Sequence, residues 1–519
     1  MRVLLVNPAY PETYWSLAHM LPFVERGWLV PPLGLITVAA LLPRSWECRL
    51  VDLTFEPLAD EEILAVDVVM ISGMLVQRRS LQELLKRCRR LGVRTVVGGP
   101  YATAMPEALD AADHLVLGEG EEIVPTLAAD LSAGRARRVY RELRKPDVTS
   151  SPVPRYDLLR RNAYHYMAVQ FTRGCPFNCE FCDIITLYGR RPRAKTPAQM
   201  IAELEAIRAT GFEGRVLFAD DNFIGNKGAV RELLVELADW RRQSRAPLDF
   251  FTEASINLAD DAQLVKLMTA AGFASVFIGI ETPSQESLRE TRKLQNLKRD
   301  MVEQVRSLRR QGIDVWGGFI LGFDHDGPDI FDQMIRFVEV AGIPYAMVGM
   351  LMALPDTPLH QRLEREGRLR RNVEPGDMFA LSNVVTKIPP EAMVEGYIRV
   401  LESLYEPEAY FDRCREHLLH WEAAPGQARP ASRDEISVVW RSLRRQGLGG
   451  RYRREYWRFL AWVLRRHPRK LPLAIAQACA GHHFITYTRE TAVPALRAQL
   501  GALAERESVQ PMPGVAAGA

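Results

Sequence analysis

Seven cysteines in 519 residues are too few and too scattered for a disulfide framework, and no apolar run approaches the ~20 residues needed to span a bilayer. Lys and Arg number 67 against 64 Asp and Glu, a net charge of +3, so charge balance does not point to nucleic acid. No G-x-G-x-x-G follows the first candidate strand, which argues against a nicotinamide cofactor. The opening Met-Arg-Val-Leu-Leu-Val-Asn-Pro holds too short an apolar run for a signal peptide and reads as a strand entering a turn. A cytoplasmic protein is the expectation. With 47% hydrophobic and 25% charged residues, the length suggests about three domains.

Three of the cysteines stand together. Cys175, Cys179 and Cys182 lie in Phe-Thr-Arg-Gly-Cys-Pro-Phe-Asn-Cys-Glu-Phe-Cys, a C-x3-C-x2-C triplet. Thiolates from short local runs hold iron–sulfur clusters; a cluster used only for electron transfer normally takes four, so three leave one iron open to substrate or cofactor. The alternatives are a structural zinc site, which needs a fourth Cys or His at ligand spacing, and a chance grouping. His165 fits no such spacing. A labile cluster calls for a reducing compartment. Cys48, Cys88, Cys414 and Cys479 read as buried small hydrophobes.

Through residues 1–140, short apolar runs alternate with helical periodicity. Residues 3–6, 48–51, 68–71, 95–97 and 114–117 read as buried strands of a Rossmann-like, doubly wound parallel sheet. Ligands bind beyond the carboxyl ends of such strands. That places Ser72, Gly73, Met74 and Gln77, then Gly98, Gly99 and Pro100, then Gly118, Glu119 and Gly120 on one candidate rim. Single glycines are ordinary turn residues; clustered, they let backbone approach a bulky ligand. Residues 141–165 form a linker, Pro-rich over 146–154.

From 166 to 390 the alternation resumes on a longer repeat. Strands at 168–172, 216–219, 249–253, 275–280, 315–321 and 346–352 give six units, a partial (βα)6 TIM-type barrel whose chemistry belongs at the strands' carboxyl ends. Thr196, followed by Pro197, caps a helix over 196–210. The cysteine loop follows the first strand. Asp221 and Asn222 follow the second, Glu253 the third and Glu281 the fourth, with Gly318 and Gly322 at the fifth. Each polar residue alone reads equally well as a helix N-cap, Asp221 and Asn222 for the helix near Lys227. Together on one rim, they suit an ammonium and ribose hydroxyls.

Residues 391–506 form a helical region, with helices expected over 432–446, 452–466 and 471–488. Arginines from Arg441 to Arg466 are interleaved with Trp440, Tyr456, Trp457, Phe459 and Trp462. A basic aromatic helix pair can lie on an anionic membrane; a solvated arginine face over a local core is the simpler reading. His482-His483 reads as packing. The tail over 507–519, rich in Pro, Gly and Ala, is expected to be disordered.

The cysteine loop, with Phe181 just before its last cysteine, resembles the radical S-adenosylmethionine (SAM) superfamily. The domain before it resembles the cobalamin-binding domain of the cobalamin-dependent class. Gly174-Cys-Pro-Phe-Asn-Cys-Glu-Phe-Cys-Asp-Ile, Tyr188-Gly-Arg-Arg-Pro-Arg193 and Asp220-Asp-Asn-Phe-Ile-Gly-Asn226 are similar to the subgroup containing the hopanoid C-2 methylase, which also carries a helical carboxyl-terminal region. The resemblance covers approximately residues 1–410. It implies that Cys175, Cys179 and Cys182 ligate a 4Fe–4S cluster whose free iron chelates SAM. Asp221 and Asn222 would contact the methionine amino group or ribose, Glu281 the ribose, Gly318 and Gly322 the adenine edge, and Phe181 the ring. Cobalamin would lie on the first rim, with residues 72–77 below the corrin and 98–101 and 118–121 along its nucleotide tail.

The implied activity is methylation of an unactivated carbon of a small-molecule substrate, a polycyclic lipid being one candidate, through a 5'-deoxyadenosyl radical and methylcobalamin. Electrons would come from an external donor such as flavodoxin or ferredoxin. A cyclase or rearrangement catalyst with the same cofactors is the alternative. Two departures stand out. The family pattern G-x-I-x-G-x-x-E has His325 where the acid would stand, and no D-x-H-x-x-G run supplies a histidine to cobalt.

Overall fold

The computed structural model describes the chain apart from residues 298, 371–372, 374–375, 377–378, 380, 424–432 and 510–519, and apart from the side chains of 433–434 and 502–509. Of the tail expected to be disordered, 507–509 end the helix Val493–Val509, and the remainder lies outside the described residues.

The first sheet comprises β1 (Arg2–Asn7), β2 (Glu47–Asp52), β3 (Val68–Ser72), β4 (Thr95–Gly98), β5 (His114–Leu117) and β6 (Val139–Arg141), in the order β2-β1-β3-β4-β5-β6 with every pairing parallel. Because side chains alternate along a strand, Leu4, Val6, Val69 and Ile71 enter one core with the helix Arg78–Leu91. Val3, Leu5, Val68 and Met70 enter another with the helices Leu33–Leu41 and Gly120–Ser132. Helices on both faces explain the continuous apolar runs. The sixth strand was not expected: only Tyr140 of its three residues is buried, so no apolar run announces it.

The second sheet is an open barrel of β7 (Tyr166–Val169), β10 (Gly214–Phe218), β11 (Leu248–Ala254), β12 (Phe273–Glu281), β13 (Asp314–Leu321) and β14 (Ala346–Met350), side by side in chain order and all parallel. Its first strand ends at Val169 rather than at 172. Asp220 takes the backbone N–H groups of Phe171 and Thr172 at 2.8 and 2.9 Å, and β8 (Thr172–Arg173) turns away to pair antiparallel with β9 (Arg193–Ala194).

An open barrel has two edges to satisfy. Along β7, the N–H of Tyr166 donates to Leu29 O at 2.8 Å. Along β14, hydroxyls of the helical region take carbonyls: Tyr397 donates to Val348 O at 2.9 Å, and Tyr405 to Ala346 O. The gap between the edges is filled by an excursion of the amino-terminal segment. Tyr14, Leu17, Met20 and Phe23 are buried in the core that the barrel shares with the helical region, Tyr14 against Tyr405, Phe484 and Tyr487 and Phe23 against His482, each contributing about 1.5–3 kcal/mol by burial. Helix Leu471–Tyr487 locks this plug, with His483 Nε2 3.1 Å from Thr13 O and the Tyr487 hydroxyl donating to Glu12 O at 3.0 Å. His483 therefore packs, as its sequence context suggests. The expected helix over 432–446 is instead Arg433–Ser442 followed by a π-helical turn, Leu443–Leu448. Among the described residues, no helix is long and apolar enough to cross a membrane.

Candidate active site at the facing strand ends

The carboxyl ends of both sheets open onto one cavity of about 510 Å³, within the roughly 300–1,000 Å³ of small-molecule sites. Ser72, Gly73, Met74, Gln77, Gly98, Gly99, Pro100, Gly118, Glu119 and Gly120 all line it, and Asp221 joins them from the barrel side. Gly99 has φ +86°, and a Cβ there would stand 2.4 Å from Ser72 Oγ, so only glycine lets these loops close together.

Not every lining residue offers itself to a ligand. Gln77 is buried: its Oε1 accepts from Met74 N at 2.8 Å, and its Nε2 donates to Asn7 Oδ1 at 3.1 Å and to Pro8 O. It ties the loops after β1 and β3. Met74 is half exposed. The Glu119 carboxylate is committed to Arg173 and Arg193 of the barrel.

The cysteine loop is held by its neighbours' side chains. Asp220 also accepts from Thr172 Oγ1 at 2.6 Å, and Asp221 accepts from Gly174 N at 2.7 Å. Neither Asp221 nor Asn222 caps the following helix, Lys227–Ser244; Asn226 does, accepting from Ala229 N at 3.3 Å. Asn222 Nδ2 lies 3.9 Å from Cys175 Sγ, and Gln295 Nε2 lies 3.7 Å from Cys179 Sγ. Glu281, strained at φ +68°, pairs with Lys293 Nζ at 2.6 Å. That ammonium lies 6.0 Å from the centre of the Phe181 ring. Burial raises the Cys175 and Cys182 thiols, Cys182 more strongly. It also lifts Asp220 to about 7 and Asp221 to about 6, with the hydrogen bonds just described offsetting part of the rise.

Gly318 lies within β13, where the Phe277 ring takes the space a Cβ would need. Gly322, at φ +106°, donates its N–H to Asp326 at 2.8 Å, as does Phe323 at 3.0 Å. Ser287 Oγ donates to the other Asp326 oxygen at 2.7 Å. His325 points away to Glu290, 2.8 Å distant. The carboxylate missing at 325 is thus supplied one residue later, where it pins the glycine turn.

Beneath this rim, Phe251 and Trp316 stand 5.1 Å apart and Trp15 lies 4.7 Å from Phe277. Glu253 is on the same side of β11 as Phe251 and, among the described residues, has no hydrogen-bond or ion-pair partner. Although the side chain is open to solvent at the barrel mouth, desolvation by the surrounding barrel wall, with repulsion from Asp221 and Asp220, raises its carboxyl to about 7. The sign is fixed by linkage. A carboxyl raised in the fold stabilises it below the unfolded value near 4.5 and loses that contribution as pH climbs through 7. Unfolding of the cofactor-free protein, followed from pH 5 to 8, should show Glu253→Gln gaining on the parent by on the order of 1 kcal/mol, screening by solvent limiting the effect. Equal pH slopes in the two proteins would refute the assignment.

Sequence reasoning did not single out Arg173, Lys293, Gln295 or Asp326. Arg173 adjoins the cysteine motif and Asp326 immediately follows the G-x-I-x-G-x-x-E pattern, whereas Lys293 and Gln295 lie far from either and carry no spacing signal. Among the described residues, no three His, Cys, Asp or Glu side chains converge on one ion. Thiolates on different irons of a cube need not converge. The donor set suits such a cube: three sulfurs, two amide N–H groups aimed at them and a nearby ammonium. The cavity suits a ligand rich in amide donors, since Glu121, which lines it, has Oε2 buried without a partner.

Fold and site define a two-cofactor α/β enzyme in which a thiol-bearing barrel mouth faces a Rossmann-like ligand rim. Residues 169–338 match the Radical SAM superfamily, 23–128 the B12 binding domain and 357–494 a domain of unknown function (DUF4070). The chain is 40% identical to an uncharacterized methyltransferase of Synechocystis sp., over 94% of this chain and 92% of that protein. It is 33% identical to the hopanoid C-2 methylase of Rhodopseudomonas palustris over 94% of each. Of solved structures, the radical SAM methyltransferase TsrM of Kitasatospora setae, with cobalamin and a 4Fe–4S cluster bound, aligns at TM-score 0.60 and 16% identity over 95% of this chain and 99% of that one. The cobalamin-dependent SAM radical enzyme OxsB aligns at TM-score 0.58 and 15% identity over 98% and 81%. The chain belongs to the cobalamin-dependent radical SAM methyltransferase family, and its cofactors are a 4Fe–4S cluster, SAM and cobalamin.

Proposed function

We propose that this enzyme methylates an unactivated carbon of a polycyclic lipid. The observation that carries this reading is the aromatic lining of the barrel interior, Phe251, Phe277 and Trp316, with the partly exposed Trp15 at its open side, which suits a large apolar substrate; the near full-length similarity to a hopanoid methylase supports it. When bound, the cluster and SAM supply a radical that abstracts hydrogen, and cobalamin supplies the methyl group.

The chain's own part is positional. Cys175, Cys179 and Cys182 hold the cluster, with Asn222 and Gln295 donating toward two of the sulfurs. Asp221 engages Gly174 through Oδ2 and keeps Oδ1 for the SAM ammonium, while Glu281, Gly318, Gly322 and Phe181 border the nucleoside. Ser72, Gly73, Met74, Gly98, Gly99, Pro100, Gly118 and Gly120 form the cobalamin rim, braced by Gln77 and Glu119. An external flavodoxin or ferredoxin delivers electrons. Anaerobic incubation with methyl-labelled SAM and a lipid extract should yield a product heavier by one methyl, with S-adenosylhomocysteine and 5'-deoxyadenosine formed together. Deoxyadenosine without homocysteine would rule out methyl transfer, and a labelled product found only in the water-soluble fraction would rule out the lipid.

A lipid substrate also gives the helical region a task. Trp440 is 69% exposed and Trp457 44%, with Ile436, Leu448 and Leu464 exposed nearby among arginines that include Arg444, Arg451, Arg454 and Arg465. Such a surface can rest on an anionic bilayer. Replacing both tryptophans with serine should weaken cosedimentation with phosphatidylglycerol vesicles at least tenfold, about 1.4 kcal/mol; unchanged binding would dismiss the contact.

A further inference from the structure

The seam between the two cofactor loops is closed by buried charge. Glu119 and Glu121 follow β5 on the cobalamin rim, and their side chains are 2% exposed. Arg173 lies in β8, two residues before Cys175. Its Nη1 is 2.8 Å from Glu119 Oε2, its Nη2 2.8 Å from Glu121 Oε1, and its Nε donates to Gln170 Oε1 at 2.7 Å. Arg193, in the strand that pairs with β8, holds the other Glu119 oxygen at 2.6 Å and also donates to Pro146 O at 2.7 Å. Ser151 Oγ donates to Glu121 at 2.9 Å. One guanidinium thus grips both carboxylates of one cofactor loop while sitting at the base of the other.

A buried ion network of this kind is poor evidence for stability, since desolvation offsets much of its attraction. Its geometry is another matter. The planar fork of arginine fixes two carboxylates in distance and orientation, which a lysine ammonium cannot do. Moving the rim loop would drag Arg173, and with it Gly174 and the first cysteine. We propose that Arg173 is a positioning residue that couples occupancy of the cluster loop to occupancy of the cobalamin rim, so that neither loop is set independently of the other. The inference rests on the assignment of the two loops to their cofactors.

Coupling is measurable without turnover. The dissociation constant of hydroxocobalamin is titrated on cluster-free and on anaerobically reconstituted protein, and the ratio of the two constants is the coupling. The parent protein should give a ratio between about 5 and 150. In R173Q/E121Q, which leaves Glu119 paired with Arg193 and no buried charge alone, the ratio should fall to about one with the cluster's absorbance intact. R173K, which can grip only one carboxylate, should fall in the same direction and decides the matter if the double variant does not fold. A ratio preserved in the variants, or a ratio of one in the parent, overturns the latch. If the parent takes up neither cofactor, the loop assignments fail, an outcome distinct from uptake of both without coupling.

Discussion

Protein in which Cys175, Cys179 and Cys182 are all replaced by alanine is expected to carry no visible cluster absorbance after anaerobic reconstitution and to cleave no SAM, while still folding and binding hydroxocobalamin. The thiols can be removed because they do not hold their loop. Its entrance is fixed by Asp220 and Asp221. Its middle is fixed by Glu180, whose N–H donates to Thr291 O at 2.9 Å and whose carbonyl accepts from Leu359 N at 3.0 Å. The Glu180 carboxylate takes Arg362 Nε at 2.6 Å. Burial raises the Cys175 and Cys182 thiols, and the thiols' contribution is to bind metal as thiolates rather than to pack. Loss of SAM cleavage should exceed a hundredfold, with a change in unfolding free energy of about 1 kcal/mol. A cluster that persists in the triple variant would undo the assignment of the loop.

Much of this arrangement is legible in sequence because it is local. A buried parallel strand must be an apolar run, and the cysteine triplet is read from one loop. What could not be read are the terms that act across the chain. The strand Val139–Arg141 is recruited by the edge of a finished sheet. The amino-terminal plug from Tyr14 to Phe23 is explained only by an open barrel more than a hundred residues later. Asp221 and Asn222 look like helix caps in sequence because their partners are distant: Gly174 N and Cys175 Sγ lie 47 residues upstream, and Ser255, which exchanges hydrogen bonds with Asn222, lies 33 residues downstream. The pattern departure at His325 shows the reverse limit: a fixed spacing assigns the loss of an acid, whereas a slight change in the turn lets Asp326 do the pinning. In sequence the Glu119 loop reads as a ligand rim, and its glycines do line the cavity, but the carboxylate finds guanidiniums that no short-range pattern links to it.

Asp220 is the side chain on which the barrel mouth depends most, and Asp220→Asn is expected to cost about 3 kcal/mol of stability and most of the cluster uptake. The carboxylate is 2% exposed and accepts three hydrogen bonds, from Phe171 N, Thr172 N and Thr172 Oγ1. An asparagine of the same shape offers one acceptor oxygen and turns an NH2 group toward the remaining donors. At least one buried N–H then loses its partner, at about 1–3 kcal/mol for each. These bonds divert the chain from β7 into the β8 turn that carries Arg173, Gly174 and Cys175, so the damage passes directly to the cysteine loop. Asp221→Asn is the contrasting case: its oxygen still accepts from Gly174 N, so stability should fall by less than about 1 kcal/mol, while SAM affinity should drop roughly tenfold through the lost charge. Chemical denaturation, cluster absorbance and SAM titration separate the two. A D220N protein as stable as the parent, or a D221N protein that loses stability but not SAM affinity, would show that the two neighbouring carboxylates have been given each other's tasks.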